Sequence, residues 1–138
     1  MAHSFAVTID DVQLSHVLSV TGVRSEVDTI ELKQQGPDGR FVVRLVPGRP
    51  KAGEFTVTRL LSDSTTMDDW LALVRLGDVA GARKTCTVAL FDATGQAVKT
   101  FSLRGCWLQG IELGSLTAGA DTPGTEVCVI RYDESVIL

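Results

Sequence analysis

A chain of 138 residues with 44% apolar and 22% charged side chains has the length of one domain and the composition of a folded globular protein, which excludes intrinsic disorder and collagen-like or coiled-coil architecture. Thirteen Lys and Arg against seventeen Asp and Glu leave a net charge of −4, the wrong sign for a protein that works on a phosphate backbone, so no specific nucleic-acid binding is expected. No apolar run approaches the roughly 20 residues that cross a bilayer, and Met1-Ala2-His3-Ser4 lacks the basic and apolar regions of a leader, so no membrane anchor is expected. The three cysteines, odd in number, point to synthesis in a reducing cytoplasm.

Period-two patterning dominates from the start. Phe5, Val7 and Ile9 alternate with Ala6, Thr8 and Asp10, and Asp10-Asp11 reads as a turn. Residues 12–23 read as one long strand, bulged at most, with Val12, Leu14, His16, Leu18 and Val20 on one side. Residues 26–33 set Ile30 and Leu32 against Asp28 and Glu31, and end in the breaker-rich loop 34–39. Residues 41–46 resume the sheet, and Pro47-Gly48-Arg49-Pro50 is expected to interrupt it because two prolines and a glycine oppose regular structure. Phe55, Val57, Arg59 and Leu61 then alternate with Thr56, Thr58 and Leu60.

The spacing predicts one helix over 66–76. Met67, Trp70, Leu71 and Val74 form a single apolar stripe, Thr66 with Asp69 resembles a capping box, and Gly77 ends the element. Residues 85–92 and 97–104 are β-rich runs joined by Ala93-Thr94-Gly95-Gln96, a hairpin signal. Residues 107–113 read as a short strand, 114–124 as a loop and 125–132 as the last strand. These elements predict a single domain over 1–138, mainly β: a small β-barrel or sandwich of about eight strands with one flanking α-helix.

Reaction chemistry has little support. His3 and His16 have no Ser, Cys or carboxylate at a catalytic spacing, and Cys86, Cys106 and Cys128 lack the close pairing of zinc sites and read as core residues. Asp10-Asp11 would point to opposite faces of a strand, and Asp68-Asp69 suit a helix start. No glycine cluster has a phosphate-loop spacing. No enzyme activity, cofactor or metal is therefore expected.

The oddity is the segment 40–59, which carries Arg40, Arg44, Arg49, Lys51 and Arg59 with only Glu54 against them. Read blandly, it is a solvated hairpin whose lysine and prolines protect a sheet edge. Read functionally, it is a basic surface that meets an acidic one on another copy, because a head-to-tail interface needs two different complementary patches on one chain.

The chain resembles the tail-tube proteins of contractile phages and of phage-tail-like contractile injection systems, a group with structural relatives in type VI secretion. The resemblance rests on Phe5-Ala6-Val7-Thr8-Ile9-Asp10 and Ser19-Val20-Thr21-Gly22-Val23, and most on the stretch from Val46-Pro47-Gly48-Arg49-Pro50-Lys51-Ala52-Gly53 into Phe55, Val57 and Arg59. The helix with Trp70, the hairpin around Asp92 and Gly95, Trp107, and the closing Val127-Cys128-Val129-Ile130-Arg131-Tyr132-Asp133-Glu134 follow in the family's order. Val46 and Phe101 replace the usual Leu and Trp.

The resemblance implies a structural inner-tube subunit: six copies close into a ring, rings stack into a rigid hollow tube, and a contracting sheath drives the tube through a target envelope. The implied partners are other copies of the chain, the sheath, a baseplate hub or tube initiator, a tail cap or terminator, and cargo in the lumen, with assembly in a bacterial cytoplasm. It assigns Arg40, Arg44, Pro47, Gly48, Arg49, Lys51 and Gly53 to contacts between subunits and rings, and the first two strands to the lumen wall. The helix with Thr66, Trp70 and Val74 would lie in the outer shell, Trp70 itself being core. The competing reading is a small β-barrel that binds an apolar ligand and does not self-assemble.

Overall fold

Along the chain run β1 (Ser4–Ile9), β2 (Val12–Gln13), β3 (Val17–Thr21), β4 (Val27–Gln35), β5 (Phe41–Pro50) and β6 (Gly53–Leu60). The helices α1 (Thr66–Arg75) and α2 (Val79–Ala82) follow, then β7 (Lys84–Phe91), β8 (Ala97–Leu113), β9 (Thr125–Tyr132) and β10 (Glu134–Ile137). This computed structural model describes residues 4–62, 64–114, 118–119 and 124–138. His3 and most of the loop expected over 114–124 lie outside the described residues. The expected mainly-β fold with a helix on its flank is present, with ten strands where about eight were expected and a second, short helix.

Eight strands form one sheet in the order β2-β1-β7-β8-β9-β6-β3, with β10 added on β8, while β4 and β5 pair only with each other. β8 joins the two halves of the sheet, since its residues 97–106 pair with β7 and its residues 107–113 with β9. The sequence pattern divides this stretch into two strands, but β8 runs through as one strand of 17 residues. Gly105 takes the bend at φ 65°, a conformation costly for a residue with a Cβ. A Cβ at this position would also run into the Asp133 carboxylate.

The end strands β2 and β3 are not paired with each other, so the sheet stays open and its halves pack on one core. Val7 and Ile9 from one half meet Phe55, Val57, Leu108 and Ile130 from the other. Burying side chains of this size removes about 1.5–3 kcal/mol each of unfavourable hydration. Trp70 and Met67 of α1 close the core, and the Trp70 indole Nε1 donates to the Ala82 carbonyl at 2.6 Å. That bond explains why α2 follows α1 so closely.

Three local expectations need correction. Residues 12–23 are not one strand: Leu14 turns into the core with its N–H on the Val7 carbonyl at 2.9 Å, and His16 is left-handed at φ 59°. That break resets the pleat. Val12 and Leu18 are 55% and 50% exposed, and Val17 and Val20 pack on the core instead. The helix begins one residue earlier than the capping-box reading, with Thr65 as N-cap and no side-chain cap bond. Thr66 is the first helical residue, and Thr65 spends its hydroxyl on the Asp69 carboxylate at 3.2 Å. Finally, the ladder continues through Pro47, Gly48, Arg49 and Pro50. β5 has a partner on one side only, so a missing N–H is tolerated on its free edge, and a bulge between Val27 and Thr29 absorbs the irregularity.

Both expected turns are well determined. Asp10 and Asp11 each have positive φ, as a two-residue hairpin turn requires, and the Asp10 carboxylate accepts the Thr85 N–H at 2.9 Å. Asp92 accepts the Thr94 hydroxyl at 2.6 Å and the Gln96 N–H at 3.0 Å, and these donors, Thr94 first, hold its carboxyl below the usual range.

Arg59 does not join the basic surface read from the sequence. It lies on the inward face of β6, 1% exposed, with Nε 3.2 Å from the Glu126 carboxylate. Among the described residues its Nη1 finds no hydrogen-bond partner. Removing one member of such a pair strands a charge in the core, whereas replacing both with apolar residues need not destabilise. Glu126→Ala is therefore expected to lower stability by about 3 kcal/mol, and Arg59→Met/Glu126→Leu to recover most of that loss, both read from urea unfolding.

Candidate assembly surface

β4 and β5 build a two-stranded ribbon that leaves the body of the fold. Every β4 residue is exposed, and β5 is half-buried only at Val46 and Gly48. The register pairs Ile30 with Val46, Leu32 with Arg44 and Gln34 with Val42 on one face, and Glu31 with Leu45, Lys33 with Val43 and Gln35 with Phe41 on the other. Large apolar side chains therefore stand on both faces, among charged and amide ones. Phe41 is 75% and Leu45 67% exposed, and Val27, Ile30, Leu32, Val42 and Val43 each exceed 40%.

The root of the ribbon is fixed and its tip is a local turn. Lys51 donates its N–H to the Glu26 carbonyl at 2.9 Å. The Ser25 hydroxyl reaches the Ser135 carbonyl at 2.5 Å, and the Tyr132 hydroxyl reaches the Arg24 carbonyl at 3.3 Å. At the tip, Gly36 donates to the Arg40 carbonyl at 2.7 Å and Asp38 accepts the Arg40 N–H at 3.1 Å. A lone two-stranded ribbon is marginal in water, and an apolar surface of this extent marks a contact site.

The residues assigned to subunit contacts divide by position. Arg40 sits at the tip, Arg44, Pro47 and Arg49 are exposed along β5, and Lys51 lies at the root. Gly48 is tightly placed, since a Cβ there would lie 3.0 Å from the Asp28 carbonyl and from Ile30 Cγ1. Gly53 opens β6 and has a packing reason of its own: a Cβ would stand 2.6 Å from the Tyr132 hydroxyl. On α1, Thr66 is exposed, Val74 is half-buried, and Trp70 is core as read from the sequence. The sequence reading missed the apolar members of the ribbon. Their signal is the run Phe41-Val42-Val43-Arg44-Leu45-Val46, apolar at both parities rather than alternating.

The reactive groups are placed for structure. His16 is exposed, with its carbonyl accepting the Leu60 N–H at 2.9 Å. No group of three or more His, Cys, Asp or Glu suited to a metal ion occurs among the described residues. Cys86, Cys106 and Cys128 are free and fully buried. Hydrogen bonding to the Cys106 side chain, then burial, push the Cys86 thiol far up, and burial pushes the Cys128 thiol up to about 12.

The geometry is that of a β domain with a projecting two-stranded ribbon whose large apolar side chains are exposed. The chain belongs to the T4-like virus tail tube protein gp19 family, whose model matches residues 1–135, and is a structural tube subunit. Its fold is similar to that of a chain in the cryo-EM structure of the anti-feeding prophage tube-terminating cap, with a TM-score of 0.78, 20% identity, and 97% of this chain and 87% of that chain covered. A chain of the sheath-tube complex of the PVC extracellular contractile injection system in its extended state is similar at a TM-score of 0.77, with 20% identity and 97% and 87% covered. Hcp1 from Flavobacterium johnsoniae is similar at a TM-score of 0.58, with 13% identity and 96% and 93% covered. No curated protein sequence matches.

Near pH 8 the three thiols of the folded protein are expected to stay unreactive to a disulfide reagent, because all three are fully buried and out of reach and the thiols of Cys86 and Cys128 are in addition held protonated, and all three to react in urea. Leu45→Ser/Val43→Ser is expected to leave unfolding of the isolated chain within about 0.5 kcal/mol of wild type while weakening self-association, measured by urea titration and by sedimentation.

Proposed function

We propose that this chain is the repeating subunit of an inner tube in a phage tail or contractile injection particle. Six copies close into a ring, and stacked rings form a hollow tube inside a sheath. The sheath, the baseplate hub and a terminating cap are its partners, the lumen conducts cargo, and assembly takes place in a bacterial cytoplasm. The role is mechanical, with no catalytic step and no cofactor.

The observation that carries this reading is the β4–β5 ribbon, which has large apolar side chains on both faces and is unpaired beyond its own two strands. Neighbouring copies would cover it, one on each face. Free edges at β2 and β3 would continue into adjacent subunits, which removes the aggregation hazard of open edges. Strands β1 to β3 would face the lumen, and α1 would lie outside, toward the sheath. The sheath, cap and baseplate follow from the systems in which similar chains occur, among them the sheath-tube complex and the tube-terminating cap. A ligand-binding barrel has less in its favour, since the sheet is open and large side chains such as Phe55, Leu103 and Leu108 fill its interior.

Arg49 tests the stacking role, because it is exposed on β5 and touches no core position. Negative-stain microscopy across a concentration series is expected to show sixfold rings and tubes of uniform diameter for the wild type. Arg49→Glu should stay folded and fail to grow tubes. Tubes of normal length from that variant would remove the ribbon from the stacking contact.

A further inference from the structure

The ribbon needs an acceptor on the same chain, because identical subunits that meet head to tail join two different surfaces. A groove between the β1–β2 hairpin and α1 has the required chemistry. Ile9 and Trp70 form its buried floor, Val12 and Leu73 its walls, and Asp10 and Asp69 its polar rim. Val12 is 55% exposed, although it stands beside the core strand β1. Lys84 also lines the groove, 3.7 Å from Asp10 Oδ2. Asp69 accepts only the Thr65 hydroxyl and makes no salt bridge among the described residues.

The complementary surface is the Arg44 face of the ribbon. Arg44 stands opposite Leu32, with Val42 and Val46 two residues to either side on the same face. Arg40 is paired with Asp38 at 3.8 Å, whereas Arg44 makes no salt bridge among the described residues. The groove thus presents carboxylates framed by apolar side chains, and the ribbon presents a guanidinium framed in the same way. Across residues 27–51 five basic side chains face three acidic ones. Two carboxylates, Asp10 and Asp69, line the groove with Lys84 as the one base among its lining residues.

The arm is long enough to reach a neighbour. The ribbon leaves the fold at its root, where Lys51 donates to the Glu26 carbonyl and Tyr132 to the Arg24 carbonyl, and its nine-residue strand spans about 26 Å at 3.3 Å per residue.

We infer that the Arg44 face of one copy's ribbon seats in the α1–β2 groove of the next copy, with the guanidinium on Asp69 and Asp10. This rests on the tube reading and adds to it the surface that receives the ribbon. Opposite charges at such a contact set register and exclude wrong partners, and removing one strands the other.

The test is a charge reversal read by sedimentation and microscopy on the full chain. Arg44→Glu and Asp69→Arg are each expected to raise the concentration needed for polymerisation on the order of tenfold or more, and Arg44→Glu/Asp69→Arg to restore growth. Both positions are exposed, and circular dichroism checks that each variant is folded. As a second readout, Val42→Cys/Val12→Cys is expected to give a ladder of linked chains on mild oxidation, and neither single variant to do so. A double reversal as inactive as its parents, or wild-type growth by Asp69→Arg, overturns the docking while a polymerising wild type leaves the tube reading intact. A wild type that never polymerises overturns the tube reading and the docking with it.

Discussion

Seven large apolar side chains lie on a two-stranded ribbon whose strands, among the described residues, pair only with each other, so these side chains stay exposed in the isolated chain. At roughly 25 cal/mol per Å², covering them is a substantial driving force, and in the proposed tube neighbouring copies would supply the cover. The remaining architecture serves to hold that ribbon at a defined angle. Its root is bonded to β9 and β10 through Tyr132 and Ser135, so a load on the ribbon passes directly into the main sheet. A ribbon hinged on a loose loop would transmit no such load.

The sheet that receives the load is made continuous by β8. Its 17 residues belong to both halves, and β10 is laid along it next to the ribbon's root. Bending a strand at Gly105 rather than ending it keeps one backbone running from the β7 ladder into the β9 ladder. Separate strands joined by a loop would have left a compliant joint at that point. The buried Arg59–Glu126 pair ties β6 to β9 close to the Leu60 end. Ion pairs of this kind cost desolvation and contribute little to stability, but they tolerate only one register between the strands that carry them.

Local pattern made much of this fold legible. The alternation of Phe55, Val57 and Arg59 marks β6, the turn at Asp92 marks the β7–β8 hairpin, and the apolar stripe on α1 marks the helix and its core tryptophan. Patterns that rely on parity failed where the backbone resets it. His16 at positive φ shifts which of Val12, Val17, Leu18 and Val20 face inward. The residue type does not announce that reset, since histidine, though enriched at positive φ, adopts it in only a minority of cases. The burial of Arg59 was missed although it shares the parity of Phe55 and Val57, because the partner that lets a cation stay inside, Glu126, lies on another strand, far along the chain. Pro47 and Pro50 looked like breakers because a sequence does not say which strand lies on a free edge.

The assembly surface was half visible in the same way. Its charges stood out against an acidic chain, while its apolar residues were absorbed into the expectation of an ordinary core strand. A run apolar at both parities is the pattern of a strand covered on both faces, and among the described residues β5 is exposed on both faces apart from half-buried Val46 and Gly48. The two facts agree under the proposed tube, in which neighbouring copies would cover both faces. Hydrophobic patterning is selected on the structure that persists, and for a subunit that functions in a polymer the isolated fold is an intermediate. The charged residues then have a second task, because an apolar ribbon alone would adhere to any apolar groove. In the proposed docking, Arg44, set among Leu32, Val42 and Val46, would make a wrong seat costly by leaving a desolvated cation without a carboxylate.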